Sequence, residues 1–393
     1  MPTFYNFREN GLDYSFDDVF VPADLFRDGN LFTWGRGDEG QLGTNTETHK
    51  STPVTTCAGG TNWKQVSFGG NFFIGHCAAI KTDGTLWTWG KGNYGQLGNN
   101  STTNRSTPVT TFAGGTNWKQ VSSGYAFCAA IKTDGTLWTW GRGTSGQLGN
   151  AVTTNASTPV TTFAGGTNWK QVSAGGAFTA AIKTDGTLWT WGTGGSGQLG
   201  DNTVTDKSTP VTTFAGGTNW KQVSGGGEFC AAIKTDGTLW TWGYGNSGRL
   251  GNNTATNKST PLTTFAGGTN WKQVSAGVFQ CAAIKTDGTL WTWGRGTYGQ
   301  LGNNTTTNKS APVTTFAGGT NWKQVSSGRS HCTAIKTDGT LWTWGRGNYG
   351  QLGDNTTTNK STPVTTFAGG TNWKQVSSGG YHTAAITYID PVL

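Results

Sequence analysis

The sequence has few charged residues, a single methionine and no long hydrophobic run. Of its 393 residues, 12% are charged and 33% are hydrophobic. No stretch approaches the ~18 consecutive apolar residues that a transmembrane helix needs. The first residues, MPTFYNFRENGLDYSFDD, lack the basic and apolar regions of a secretory signal. We therefore expect a soluble chain with no signal peptide and no membrane span.

Several kinds of catalytic and metal site are also missing from the sequence. Its six cysteines form no CxxC pair, so neither a zinc site nor a disulfide framework is indicated. Beyond residue 30 the only glutamates are Glu39, Glu47 and Glu228. There is no GxSxG or HExxH motif and no phosphate-binding loop that opens a helix. These absences predict a protein that is not an enzyme and that carries no metal and no cofactor.

The sequence does contain a repeat that is rich in glycine and aromatic residues. It has 64 glycines, 20 tryptophans and 19 phenylalanines. The tripeptide TWG recurs with its tryptophan at positions 34, 89, 140, 191, 242, 293 and 344, so the first interval is 55 residues and the next five are 51. The motif NWKQVS recurs seven times with the same intervals. This period indicates a repeat architecture rather than several separate domains.

Each copy is predicted to form four short β-strands. Glycine, proline and asparagine separate short runs of β-prone residues, and no segment has sustained helical periodicity. In the segment AAIKTDGTLWTW we interpret Asp83-Gly84 as the centre of a two-residue type I′ turn. This turn would pair Ile80 with Trp87 and Ala78 with Trp89. The resulting bulky face of one copy is expected to pack against the small-residue face of the next.

Seven four-stranded copies predict an all-β fold, a seven-bladed β-propeller. The last copy ends in AAITYIDPVL without a TLWTWG strand, whereas the series begins with NLFTWG. We infer that residues 31–34 pair with residues 384–386 and close the ring with strands from the N- and C-terminal parts of the chain. Residues 23–29, ADLFRDG, resemble AAIKTDG and are an alternative partner. The predicted domains are a leader at 1–22 and a propeller at 23–393, whose 51-residue repeat carries a four-residue insertion in its first copy.

The repeated sequence resembles the regulator of chromosome condensation repeat family. The motif LWTWGRGxxGQLG, followed by VSxGxxxxxAAIKTDG, covers about residues 23–388. The resemblance implies a seven-bladed propeller. It also implies functions that differ among members, since a propeller is a platform for many roles. These are nucleotide exchange on a small GTPase with chromatin binding, ultraviolet-B sensing, and targeting within large ubiquitin ligases.

This sequence departs from the residues that serve those functions in the family. Its only blade insertion, near residues 68–75, is too short for the wedge on which nucleotide exchange depends. The loops after VSxG contain no tryptophan of the kind that the photoreceptor uses, and no ligase domain follows the repeats. The acidic leader would be repelled by phosphate. A GTPase exchange factor or chromatin-binding protein is therefore the less favoured alternative, and nucleic acid is not an expected partner.

A second resemblance, to phage and marine microbial members of the family, indicates a virion or host-surface role. The near-identical repeats and the short acidic header carry this resemblance. We predict a structural or interaction module of a virion tail, fibre or decoration, located in the virion or the cytoplasm. The leader is expected to dock onto a protein partner, such as another virion protein, through Phe4, Tyr5, Phe7, Tyr14, Phe16 and Phe20.

Basic residues recur in rings, and the ring after TWG is the strongest candidate for a binding surface. The net charge is +8, of which residues 1–30 contribute −4 and the remainder +12. Lysines before TDG, such as Lys81, are interpreted as solubilising residues that lie over Leu86. The arginine after TWG is replaced by Thr193 and Tyr244 in two copies, which breaks the symmetry. The predicted binding residues are Arg36, Tyr94, Arg142, Tyr244, Arg295, Tyr298, Arg329, Arg346, Tyr349 and Tyr381. An anionic glycan or another polyanion is the alternative ligand.

Three histidines share one repeat position, namely His76, His331 and His382. Equivalent residues of adjacent blades lie too far apart to converge on one ion at ~2.1 Å. We therefore expect them to pack in the interior. The same interpretation applies to the next position, where threonine substitutes for cysteine in two copies: Cys77, Cys128, Thr179, Cys230, Cys281, Cys332 and Thr383.

Overall fold

The computed structural model describes residues 27–71 and 74–389. These residues form 28 β-strands and one short 3-10 turn, Asn246–Gly248. The strands in chain order are β1 (Arg27–Gly35), β2 (Lys50–Thr55), β3 (Trp63–Gly70), β4 (Gly75–Lys81), β5 (Leu86–Gly90), β6 (Arg105–Thr110), β7 (Trp118–Ser123), β8 (Phe127–Lys132), β9 (Leu137–Gly141), β10 (Ala156–Thr161), β11 (Trp169–Ala174), β12 (Phe178–Lys183), β13 (Leu188–Gly192), β14 (Lys207–Thr212), β15 (Trp220–Gly225), β16 (Phe229–Lys234), β17 (Leu239–Gly243), β18 (Lys258–Thr263), β19 (Trp271–Ala276), β20 (Gln280–Lys285), β21 (Leu290–Gly294), β22 (Lys309–Thr314), β23 (Trp322–Ser327), β24 (His331–Lys336), β25 (Leu341–Gly345), β26 (Lys360–Thr365), β27 (Trp373–Ser378) and β28 (His382–Ile389).

The strands form seven four-stranded antiparallel sheets, which are the blades of a propeller. Strands β3–β6 form blade 1, β7–β10 blade 2, and so on to β23–β26 in blade 6. The motif WKQVS forms the innermost strand of each blade. Glutamine joins adjacent inner strands: the Gln120 side chain donates to the Val172 carbonyl at 3.0 Å and accepts from the Val172 N–H at 3.1 Å. The predicted seven-bladed propeller is confirmed.

Blade 7 closes the ring with strands from both parts of the chain, in the order β2-β1-β28-β27. Leu31 pairs with Ile386 and Thr33 with Ala384, so the inferred pairing of residues 31–34 with 384–386 is confirmed. Residues 27–29 of the alternative hairpin belong to β1 itself. The glutamine bridge continues across this junction, where the Gln375 side chain donates to the Val66 carbonyl at 3.3 Å.

The predicted register of the KTDG hairpin is wrong by one residue. The Gly84 N–H donates to the Lys81 carbonyl, the Lys81 N–H donates to the Thr85 carbonyl, and Gly84 alone in the turn has a positive φ, 79°. This is a three-residue loop, a type I turn followed by a glycine bulge, and not a type I′ turn. The observed pairs are Ile80 with Leu86, Ala79 with Trp87 and Cys77 with Trp89.

Each blade buries its tryptophans against the preceding blade. Trp118 and Trp140 of blade 2 lie edge to face, with ring centroids 6.2 Å apart, and pack on Ile80 and Leu86 of blade 1. The Trp140 indole N–H donates to the Gln96 carbonyl at 3.0 Å. Isoleucine and leucine therefore lie on the face opposite the tryptophans, and not on the same face as predicted. The tryptophan face of one blade packs on the opposite face of its neighbour, as expected.

The antiparallel order gives the propeller two distinct faces. Connections from the first to the second strand and from the third to the fourth strand of every blade lie on one side, the loop face. The KTDG hairpins and the TTFAGG connections between blades lie on the other side, the hairpin face. The axial channel is lined mainly by glycine, with serine and alanine, at the loop-face ends of the inner strands, and Phe68, Tyr125, Val278 and Arg329 also line it. Its volume is about 90 Å³.

Candidate basic surface on the loop face

The residue after TWG forms a basic arc over five adjacent blades. Arg295, Arg346, Arg36, Lys91 and Arg142 belong to blades 5, 6, 7, 1 and 2. The two substituted copies, blades 3 and 4, are also neighbours and complete the ring. The replacements that break the sequence symmetry therefore divide the loop face into a basic arc and a gap without a basic residue at this position.

Aromatic rings hold the guanidinium groups of blades 5 to 7. The Arg346 guanidinium lies 4.9 Å from the Tyr298 ring centroid and 5.0 Å from that of Tyr381, and it donates to the Tyr381 hydroxyl at 3.0 Å. Arg295 lies 5.6 Å from the Tyr298 ring and Arg36 lies 5.8 Å from the Tyr349 ring. Such contacts fix long side chains before a partner arrives and so lower the entropy cost of binding.

Carboxylates neutralise only part of the basic arc. Asp38 forms an ion pair with Arg36 at 2.7 Å, and Glu39 forms one with Lys91 at 2.7 Å. Burial opposes ionisation of Asp38, but the hydrogen bond and the charge of Arg36 lower its pKa. By contrast, the Nε of Arg295 donates to the neutral Thr297 hydroxyl at 2.9 Å.

Arg346 and Arg142 also have neutral partners at Nε. The Arg346 Nε donates to the Asn348 side-chain oxygen at 2.8 Å, and the Arg142 Nε donates to the Thr144 hydroxyl at 2.9 Å. Arg142 lies 5.4 Å from the Tyr94 ring, separate from the contacts of blades 5 to 7. The excess positive charge of the arc is therefore concentrated on blades 5, 6 and 2.

A pocket at the mouth of the axial channel adjoins the arc. It has a volume of about 300 Å³ and is lined by Tyr125, Gly227, Glu228, Tyr244, Arg249, Val278, Phe279 and Arg329. Arg249 is nearly buried, with 5% of its surface exposed. Its Nε donates to the Asn246 carbonyl at 3.0 Å and its Nη1 to the Val278 carbonyl at 3.1 Å. Its guanidinium lies 4.6 Å from the Tyr244 ring centroid.

Three guanidinium groups surround one aromatic ring in this region. Arg249, Arg295 and Arg329 lie 5.5, 5.1 and 5.0 Å from the centroid of Phe279. Burial lowers the pKa of Arg249, the nearby charge of Glu228 raises it, and that of Arg295 lowers it again. We name Arg249, Phe279, Arg295 and Arg329 the arginine cluster.

The arginine cluster includes Arg249, which was not among the predicted binding residues. Arg249 stands where the other copies of GQLG have glutamine, and this single GRLG was the available signal. Phe279 and Tyr125 lie in the variable loops after VSxG. Burial raises the pKa of Tyr125 to about 12, so its hydroxyl stays protonated. The predicted leader residues lie outside the described part of the chain.

The histidines and cysteines of the second strands are buried. The Cys128 Sγ lies 3.3 Å from the His76 Nε2, and the His331 Nε2 lies 3.0 Å from the Thr383 hydroxyl. Burial lowers the pKa to about 4 for His76 and to about 3 for His331 and His382. Among residues 27–71 and 74–389, no group of three or more His, Cys, Asp or Glu side chains is placed to hold a metal ion.

The lysines of the hairpin face lie over tryptophan rather than over leucine. The Lys81 Nζ is 4.8 Å from the ring centroids of both Trp63 and Trp87, and the five later copies repeat this contact. The expected position over Leu86 is therefore wrong, because the one-residue change of register moves the indole beneath the lysine. These charges are held in stabilising cation–π contacts.

In the part of the chain that the structure describes, no helix has the length and apolar character needed to span a membrane.

Comparison with known proteins gives the family. Residues 150–391 match the RCC1-like domain, and residues 28–75 and 83–131 match the regulator of chromosome condensation (RCC1) repeat. The chain is 32% identical over 329 residues to the ultraviolet-B receptor UVR8 of Arabidopsis thaliana, covering 82% of this chain and 74% of the receptor. It is 30% identical over 370 residues to the human E3 ubiquitin-protein ligase HERC2, covering 91% of this chain but only 8% of the ligase.

Solved structures share the fold at lower sequence identity. Human WBSCR16 superposes with a TM-score of 0.79 at 20% identity, covering 92% of this chain and 98% of that protein. Prp20p from Saccharomyces cerevisiae, whose binding to Gsp1p and histones has been characterised, superposes with a TM-score of 0.80 at 17% identity, covering 93% and 92%. The chain therefore belongs to the regulator of chromosome condensation (RCC1) repeat family.

Proposed function

We propose that the protein is a non-enzymatic interaction module that binds an acidic protein partner through the basic arc of its loop face. The observation that carries this proposal is the unbroken run of basic residues over blades 5, 6, 7, 1 and 2. A rigid surface with one sign of charge attracts an oppositely charged partner and orients it. Protein binding by the related propeller Prp20p supports a role of this kind.

The decisive experiment compares charge reversal on the two faces. Arg295→Glu with Arg346→Glu reverses two charges of the arc, and Lys64→Glu with Lys119→Glu makes the same change on the hairpin face. A partner that co-purifies with the native protein should be retained by the hairpin-face variant and lost by the arc variant. The difference between the two variants should be larger at low salt, because high salt screens exposed charges. Equal binding by both variants, measured with the purified partner, contradicts the proposal.

We propose that the leader makes a separate contact, with a virion protein, through aromatic side chains rather than through charge. The net charge of −4 on residues 1–30 would repel an acidic partner. Residues 1–22 are rich in aromatic side chains, which are able to make the contact. A chain without residues 1–22 should therefore fail to assemble with its natural particle, while the propeller stays folded. Undiminished assembly would contradict docking through the leader and leave the arc as the contact.

Binding of an anionic glycan or another polyanion is the alternative function of the same arc. Arg295 and Arg346 have neutral hydrogen-bond partners at Nε, so their charge remains to attract an anion. Retention on heparin that is lost in the Arg295→Glu, Arg346→Glu variant would favour this alternative. Absence of retention by the parent protein would dismiss it. A nucleotide-release assay tests the less favoured exchange-factor role separately.

A further inference from the structure

We propose that the arginine cluster at the channel mouth binds a phosphate monoester. The cluster lies beside the basic arc and shares only Arg295 with it, so the inference rests in part on the proposed function. It assigns to blades 4 to 6 a defined ligand site that the rest of the arc does not have.

The charges of the cluster favour an anionic ligand. Three guanidinium groups lie within 5.5 Å of the Phe279 centroid, so any two of them are within about 11 Å of one another. Arg249, Arg329 and Glu228 line the pocket, and Arg295 lies beside it at Phe279. Among these described side chains, the arginines outnumber the carboxylate. A phosphate monoester carries close to two negative charges at neutral pH and would relieve the repulsion between the arginines.

The guanidinium of Arg249 is fixed before any ligand binds. Two of its nitrogens donate to main-chain carbonyls of Asn246 and Val278, and the guanidinium carbon lies 4.6 Å from the Tyr244 ring centroid. The planar fork of arginine suits the paired oxygens of a phosphate group. A cation held in this way loses little side-chain entropy on binding.

The walls of the pocket are aromatic. Tyr125, Tyr244 and Phe279 line it together with Val278. The Tyr125 hydroxyl, which remains protonated because burial raises its pKa to about 12, is able to donate to a phosphate oxygen. An aromatic group next to the phosphate would therefore contact aromatic surface, and phenyl phosphate is the simplest probe with both features.

Sequence variation supports a specialised role for this one copy. The arginine at 249 replaces the glutamine found at the equivalent positions 41, 96, 147, 198, 300 and 351. The Gln198 side chain, for example, is buried and accepts from the N–H of Ser196 within its own loop. Arg249→Gln therefore restores a residue that six blades accommodate, and the variant is expected to fold.

Calorimetric titration with phenyl phosphate tests the proposal. The parent protein should bind phenyl phosphate more tightly than inorganic phosphate and should bind benzoate least. Arg249→Gln should weaken phenyl phosphate binding about tenfold or more, because it removes charge-assisted hydrogen bonds. Lys119→Gln, the loss of one exposed charge on the hairpin face, should leave binding unchanged. A phosphotyrosine peptide that binds more tightly than phenyl phosphate would identify the source as a phosphoprotein, and equal binding would identify a small molecule.

No binding of phenyl phosphate, or equal binding by the parent protein and Arg249→Gln, overturns the proposal. This failure is distinguishable from failure of the proposed function, because Arg346→Glu alters the arc outside the cluster. If Arg346→Glu loses the acidic partner but the parent protein does not bind phenyl phosphate, the proposal for the arc stands and the proposal for the pocket fails. If the parent protein binds phenyl phosphate and Arg346→Glu retains the acidic partner, the proposal for the pocket stands and the proposal for the arc fails.

Discussion

At the scale of single residues, a few substitutions in a nearly uniform repeat create the asymmetric surface. The sequence identified Arg295, Arg329 and Arg346 as exceptions or ring members, but Arg249 was missed because it lies inside a motif that otherwise repeats unchanged. Which arginines meet at Phe279 depends on side-chain reach across three blades. A periodic pattern gives the position of each residue in its blade but not these contacts.

The buried histidines predict acid sensitivity. The pKa is lowered by burial to about 4 for His76 and to about 3 for His331 and His382, whereas an unfolded histidine has a pKa near 6.5. Below pH 6.5 the unfolded chain therefore takes up protons that the folded chain does not. The histidine contribution to the free energy of unfolding should be constant above about pH 7 and should fall as the pH decreases from 6.5 towards 3.

His331→Gln isolates one contribution to this pH dependence. Glutamine occupies the equivalent position of blade 5 as Gln280, where it is buried, so the substitution is one that the fold accepts. Between pH 7 and pH 4.5 the variant should lose about 2 to 3 kcal/mol less stability than the parent, at about 1.4 kcal/mol per pH unit. Urea unfolding at both pH values measures the difference, and identical losses would contradict the assignment.

At the scale of strands and turns, the existence of each strand is predicted from the sequence more reliably than its pairing register. Period, turn residues and the incomplete last copy predicted the strands and the closing pair Leu31–Ile386. The tripeptide TDG is compatible with both a two-residue and a three-residue loop, and these differ by one residue in register. Only the hydrogen bond from Gly84 to Lys81 distinguishes the two.

Substitution by alanine should destabilise the protein at one glycine of blade 3 and have little effect at another. Gly186 has a φ of +80°, and an added Cβ would lie 2.0 Å from the Thr218 carbonyl oxygen, whereas Gly195 has nothing within 4 Å of that position. Gly186→Ala should lower the free energy of unfolding by about 2 kcal/mol or more. Gly195→Ala should change it by less than about 0.5 kcal/mol. Chemical denaturation compares them, and equal effects would contradict the turn geometry.

At the scale of the whole molecule, ring closure brings residues that are distant in sequence onto one face. Arg346 in blade 6 and Arg36 in blade 7 become neighbours because β1 pairs with β28. The extent of the basic arc was therefore predictable once the ring order was known. The pocket at the channel mouth was not predictable, because it depends on loops whose sequences vary between copies.

Truncation tests the closure. Removing residues 1–35 deletes β1, which lies between β2 and β28 in blade 7. The melting temperature should fall by about 10 °C or more, because loss of β1 leaves β2 unpaired and β28 paired on one side only and costs at least about 5 kcal/mol, at about 2 °C for each kcal/mol. Removing only residues 1–22 leaves β1 intact and should not change the melt. An unchanged melting temperature for the longer deletion would contradict closure by β1.

The measurement that tests the central claim most directly is hydrogen exchange of the intact chain with and without its purified acidic partner. The account predicts slower exchange in the loop-face segments of the basic arc, residues 294–301, 345–352 and 35–42. Exchange in the KTDG hairpins, such as residues 81–85, should not change. Protection confined to those hairpins, or to the TTFAGG connections beside them, would contradict partner binding through the loop face.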